Sequence, residues 1–211
     1  MKLKIVVVFG ILSVFASSCN FVSEEKKQAA KDYHNKMIKY VNPVISGMNN
    51  LIGNTTQLVN ISASGKLDSI SISKICTDID NLIATIDIYT DSLNKLEEFD
   101  SKIQYKKICM ENIVECKKLL LNEYPKLIKK VSEGLTKESC IEIGEIVLDI
   151  YWKLIVVQKK SQETQLEFAK KYKFKLIGTL VNFEQVEKDY HEYEKALTNK
   201  MKNLYPDPVL E

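Results

Sequence analysis

Between Ile75 and Leu96 the apolar residues Ile75, Ile79, Leu82, Ile86, Tyr89, Leu93 and Leu96 alternate steps of four and three. An α-helix turns once every 3.6 residues, so this spacing holds them on one face for about six turns. Such a face needs other helices to cover it, because an isolated helix is marginal in water. The same spacing recurs along the chain, while sustained strand-like alternation bounded by turn residues is missing. Only 7 glycines and 4 prolines occur in 211 residues, which leaves little to interrupt long helices. The expected fold is all-α: an up-and-down antiparallel helical bundle of four long helices with an additional C-terminal helix.

The next stripe runs Tyr105, Cys109, Ile113, Cys116, Leu120, Tyr124, Leu127, Val131, and the one after it Cys140, Ile143, Val147, Ile150, Leu154, Val157, continuing toward Phe168 and Tyr172. The breaks between them are short, so neighbouring helices should be antiparallel. Asp100 is expected to cap the helix after it, since a short carboxylate can accept from the unpaired amides of a first turn. Gly134 suits a left-handed helix end, and Thr136 with Ser139 suits the next start. The first helix is expected from about Glu24 to Ile52, carrying Tyr33, Met37, Tyr40, Val44, Met48 and Leu51 on one side. Pro43 lacks an amide hydrogen and crowds the preceding turn, so a kink or split is expected there, and a bend at Pro125. Gly53 to Gly65, rich in Asn, Thr and Ser, reads as a loop, and Lys173 to Thr179 as a connector. The last stripe, Val186, Tyr190, Tyr193, Leu197, Met201 and Leu204, stops at Pro206-Asp207-Pro208.

The start of the chain has a different character. Lys2 and Lys4 precede an apolar run from Ile5 to Phe15, then Ala16, Ser17, Ser18 and Cys19. A membrane span needs about 20 apolar residues, roughly twice this run. The segment resembles a bacterial lipoprotein signal peptide, with Ala16 where such leaders usually carry Leu. The resemblance implies lipidation of Cys19: a diacylglyceryl group on its thiol, cleavage before it, and an acyl chain such as palmitate on the freed amine. Asn20 after the cysteine, in place of Asp, resembles outer-membrane sorting, and Ser23-Glu24-Glu25 resembles signals for the outward face. The expected organisation is a signal peptide over 1–18, a tether over 19–25, one helical-bundle domain over 26–205 and a tail over 206–211. The expected location is the cell envelope, at the outer membrane or cell surface, held by the lipid anchor.

The formal charge of +2 reflects 30 basic and 28 acidic residues, and Lys2 and Lys4 would leave with the leader. A near-neutral mature chain has no overall electrostatic footprint for nucleic acid or an anionic membrane. Attachment is therefore expected from the acyl chains alone. Besides Cys19 the chain has Cys76, Cys109, Cys116 and Cys140. Cys109 and Cys116 lie two helical turns apart, about 10 Å, beyond the reach of a disulfide. The four are expected to be reduced and mostly buried.

Lys31-Asp32-Tyr33-His34 recurs as Lys188-Asp189-Tyr190-His191. Residues two apart diverge around a helix, so Asp and His of one copy do not converge on an ion, and both histidines are expected at the bundle edge or in solvent. There is no metal-ligand spacing, glycine-rich phosphate loop, nucleophile elbow or Cys-x-x-Cys pair. No cofactor, metal or catalytic residue is expected, and the chain reads as non-enzymatic. Trp152 steps off the Val147, Ile150, Leu154 stripe and is the aromatic expected to contact a partner.

The order of elements, Asn122-Glu123-Tyr124 in the third helix, and Phe168-Ala169-Lys170-Lys171-Tyr172 with Phe174 and Leu176 resemble a poorly characterised family of bacterial helical surface lipoproteins. The resemblance covers roughly Glu24 to Leu176. It implies location and fold, and no activity. The expected function is a lipid-anchored envelope surface protein that binds or scaffolds an unnamed partner. The alternative is a carrier of an apolar small ligand in a cavity opened between helices near Pro43 and Pro125.

Overall fold

A computed structural model describes residues 22–63, 69–133, 136–177 and 180–204. It contains α1 (Glu24–Ala63), α2 (Ser69–Asn94), α3 (Tyr105–Asn122), α4 (Tyr124–Ser132), α5 (Lys137–Lys171) and α6 (Phe183–Leu204), and no strand among the described residues. The fold is the expected all-helical bundle. α3 and α4 together make its third long member.

Cross-helix contacts fix the direction of each helix. Tyr33, Tyr40 and Gly47 of α1 meet Glu97, Tyr89 and Leu82, so α2 descends as α1 rises. α3 answers α2 through Lys106 with Leu96 and Lys117 with Asp87. α5 answers α3 and α4 through Lys160 with Glu111 and Lys130 with Glu142, and it closes the ring onto α1 through Gln158 with Asn49. α1 and α3 run parallel across the diagonal, α6 packs chiefly on α5, and one core holds the four members together. At Gly47 α1 and α2 come close enough that a Cβ would lie 2.7 Å from Leu82 Cδ1.

The apolar stripes form the core: Ile75, Ile79, Leu82, Ile86 and Leu93 are buried, as are Tyr105, Cys109, Ile113, Cys116, Leu120, Tyr124, Leu127 and Val131. Thr136 and Ser139 cap each other in a reciprocal box at the start of α5. Gly134 and Gly65 lie outside the described residues.

Three expectations about helix ends are corrected. α1 runs unbroken through Pro43 and does not stop at Ile52; helix continues through Gly53 to Ala63. The Thr55 hydroxyl donates to the Leu51 carbonyl and the Thr56 hydroxyl to that of Ile52, so residues that favour turns satisfy themselves within the helix. Leu51 and Thr55 are buried, and that packing outweighs the loop propensity of Gly53 and Asn54. Pro125 does more than bend its helix: the break falls at Glu123, and Pro125 enters the first turn of α4, where a missing amide hydrogen costs nothing. Asp100 does not cap α3. Gln104 holds the N-cap position in a left-handed conformation (φ 55°), and the Glu98 carboxylate accepts from the amides of Lys106 (3.2 Å) and Lys107 (3.1 Å).

At the end of the bundle where α1 begins, Phe168 of α5 is fully buried among the rings of Tyr33, Phe99, Tyr105, Tyr172 and Phe174, with centroids 4.8 to 6.1 Å away. Its truncation removes contacts from every helix meeting there. Phe168→Ala is expected to lower unfolding free energy by about 3–5 kcal/mol in urea denaturation; a loss below about 1 kcal/mol would mean that the cluster is not a keystone.

Candidate functional site

The turn after α2 and the end of α5 are joined by Asp100. Its buried carboxylate accepts from the Lys102 amide (3.0 Å) and the Tyr172 hydroxyl (2.8 Å), and pairs with Lys171. Burial alone would raise its pKa; hydrogen bonds from Lys171, Tyr172 and the Lys102 amide, with the Lys171 charge, hold it instead at about 2.

Beside this knot lies a cleft of about 290 Å³ between α1, α5 and the connector into α6. α1 contributes Ile38, Val41 and Ile45, the connector Leu176, Ile177, Leu180 and Val181, and α6 Phe183. α5 supplies Gln158, Ser161, Gln162 and Gln165. The connector is held in place by one amide: Gln162 donates to the Val181 carbonyl (2.9 Å) and accepts from the Val181 amide (2.7 Å). Asn182 then starts α6 by accepting from the Gln185 amide, and Lys159 pairs with Glu187 at 2.6 Å. Ile177, 89 % exposed, Leu180 and Val181 form an apolar rim.

His34 lines the cleft and corrects the sequence expectation: it is 6 % exposed, not at the solvent edge. One step off the Tyr33 position, its ring enters the seam between α1 and α3, 5.9 Å from the Tyr105 ring and 5.5 Å from that of Phe174. Nδ1 is 2.9 Å from the Tyr105 hydroxyl. Burial pushes the Tyr105 phenol far above its ordinary range, so it keeps its proton, and burial pushes His34 below 6.5, so the imidazole is neutral near pH 7. The Tyr105 hydroxyl has no other acceptor among the described residues, so it donates to Nδ1 and the imidazole proton resides on Nε2. Nε2 has no partner among the described residues. The cleft is therefore of mixed character: apolar side chains of α1, the connector and α6 face Asn42, Gln158, Ser161, Gln162 and Gln165, with the neutral His34 imidazole on one wall, an arrangement suited to a group that is part apolar and part hydrogen-bonding.

Other sequence candidates lie apart. Cys19 is outside the described residues. Trp152 is half-buried beneath α6, its ring 4.7 Å from Tyr190 and 5.5 Å from His191. His191 is exposed and 3.2 Å from Glu194, on a different face from His34. Cys109 and Cys116 are buried free thiols, each pushed up to about 12 by burial, and Cys76 is half-buried. The Lys117–Asp87 pair sets a register that leaves Cys76 about 18 Å along the axis from Cys116. Among the described residues no three His, Cys, Asp or Glu gather to hold a metal ion, and the carboxylates with resolved shifts, Asp100, Glu111 and Glu123, all move downward. The cleft was missed in the sequence because three separated segments build it. The single available signal was Tyr33-His34 placed opposite Tyr105 by the stripes.

No known protein family, curated protein or solved structure matches this chain.

The Asp100 tie has a definite pH signature. Its folded pKa lies below the ordinary 3.8, so its stabilisation is complete above that value and is lost as pH falls through about 2. The stability gap between wild type and Asp100→Asn in urea denaturation should therefore narrow as pH is lowered from about 5 to about 2. A gap that does not change over that range would remove the carboxylate from the account.

Proposed function

We propose that this chain is a lipid-anchored protein of the cell envelope, acylated on Cys19, whose bundle is a non-enzymatic binding or scaffolding module. In this reading it is a member of the bacterial helical surface lipoproteins that its sequence resembles, sorted to the outer membrane or cell surface. Support for the anchor comes from the leader pattern before Cys19 and from the start of α1 at Glu24, five residues later. No helix among the described residues is long and apolar enough to cross a membrane. The observation that carries the binding reading is the cleft beside the connector, which exposed Ile177, Leu180 and Val181 line together with His34 and the polar side chains of α5. Water-exposed apolar side chains grouped beside a polar donor are what a partner's apolar side chain and carbonyl would cover.

The carrier alternative draws less support. Beside Tyr124 the interior void lined by Ile52, Thr55, Leu127, Val147 and Ile150 is too small for a water molecule. The larger hollow near Pro43 is an open groove whose wall mixes Leu51 and Leu82 with Asn49, Asn50, Lys74, Asp78 and Asn81, unlike an enclosed pocket for apolar cargo.

Two measurements test the proposal. Cys19→Ser should abolish incorporation of labelled palmitate and release the chain from the membrane fraction; continued acylation of that variant would refute the anchor. Cross-linking on intact cells should give a discrete adduct that Ile177→Asp with Leu180→Asp removes without changing thermal stability, since both side chains are exposed. An adduct unaffected by the pair would move the binding face elsewhere, and co-purified lipid in the bundle would favour the carrier.

A further inference from the structure

The charge that cancels over the whole chain does not cancel at the start of α1. Lys26, Lys170 and Lys173 line a hollow of about 490 Å³ with Val22, Glu167, Lys171 and Tyr172. Along the body of the bundle, lysines meet carboxylates of neighbouring helices: Lys117 with Asp87, Lys160 with Glu111, Lys159 with Glu187. Elsewhere lysines such as Lys36 and Lys39 also stand without an ion pair among the described residues, but singly; around the hollow four lysines are grouped. Glu24 is engaged by Lys27 and Asp100 by Lys171, while Lys170 and Lys173 have no carboxylate partner among the described residues and Lys26 sits 5.9 Å over the Tyr172 ring. Glu167 and exposed Glu25 oppose this charge without cancelling it.

Lysines in the last turn of a helix answer its dipole, and that alone accounts for Lys170 and Lys171. It does not account for Lys173. This residue lies beyond α5 at φ 56°, where the Phe174 amide bonds back to the Ala169 carbonyl (3.1 Å), a left-handed helix end that glycine adopts without strain. The helix end thus brings Lys173 to the rim of the hollow beside Lys170 and Lys171, and it is this grouping of cations that points to an anion. Val22 is three residues from Cys19, so its Cα is within about 11 Å of that residue, comparable to the Debye length of about 8–10 Å at physiological salt.

We infer that this end of the bundle docks on anionic phospholipid headgroups, with Lys26, Lys170 and Lys173 facing their phosphates as a second membrane signal beside the acyl chains. The inference rests on the proposed lipidation of Cys19 for its geometry. It also replaces the expectation that attachment comes from the acyl chains alone, since one acylated site plus a basic patch holds a protein more firmly than either.

The test uses the lipidated full-length protein on vesicles of phosphatidylcholine alone and of phosphatidylcholine with phosphatidylglycerol, with amine acetylation read by mass spectrometry. Lys170 and Lys173 should be acetylated about fivefold or more slowly on the anionic vesicles, with the protection lost at high salt. Lys36 and Lys39, exposed further along α1, should react equally on both. Lys26→Gln with Lys170→Gln should return Lys173 to its neutral-vesicle rate. Equal labelling of Lys170 and Lys173 on the two vesicle types would overturn the inference. Failure of the protein to join neutral vesicles would overturn the lipid anchor instead, and the anionic arm would still decide the role of the lysines.

Discussion

The bundle depends on Phe168. From α5 it reaches Tyr33 of α1, Phe99 of the turn after α2, Tyr105 of α3 and the two aromatics that follow α5, so every member of the ring is joined through one side chain. Edge and tilted ring contacts of this kind add roughly 0.5–1.5 kcal/mol per pair beyond the area they bury. That surplus tolerates local costs nearby: left-handed backbone at Gln104 and Lys173, and a buried carboxylate at Asp100. The mid-bundle and far end are closed differently. There the packing of Leu127, Val131 and Ile143 dominates, and Asn112 Nδ2 and Tyr124 Oη are buried with no protein hydrogen-bond partner among the described residues. One end is thus over-determined by aromatics and polar ties, and the rest rests on aliphatic burial.

The periodicity that fixed the helices in the sequence also fixed the core, because burial in a bundle follows the angle around each axis. Ile75 through Leu93 needed nothing beyond that angle. Features that depended on a second helix were not readable in the same way. Gly53 and Asn54 favour a turn in isolation, and only the buried positions of Leu51 and Thr55 show why the helix continues. Asp100 had the chemistry of a cap, yet Tyr172 and Lys171, some seventy residues away, claim its oxygens while Glu98 does the capping. His34 stood one step from a core position, and α3 arriving with Tyr105 turned that edge into an interior.

The candidate site follows the same division. Its polar centre, His34, was visible only as part of a repeated tetrapeptide whose second copy, around His191, has an unrelated environment on α6. Its walls come from residues 38–45, 158–165, 176–177 and 180–183, and no local pattern relates those segments. Trp152, the aromatic that stood out in the sequence, packs under α6 against Tyr190 and Val186 of the last stripe; that stripe announced an amphipathic helix but not which helix it would cover.

The distance of the cleft from the start of α1 sets what the cleft can do. His34 is ten residues past Glu24 and Ile45 twenty-one, so the cleft runs from about 15 to about 32 Å along α1 from its first turn. With Cys19 acylated and the lysine end on headgroups as proposed, a partner meets the cleft a few nanometres above the bilayer. A cleft of about 290 Å³ is small, and on its own it supports modest affinity. Holding two binding partners on one surface makes their encounter effectively intramolecular, and weak contacts then suffice. Under the proposed anchoring, a partner held on the same membrane would need less intrinsic affinity than one diffusing freely in solution.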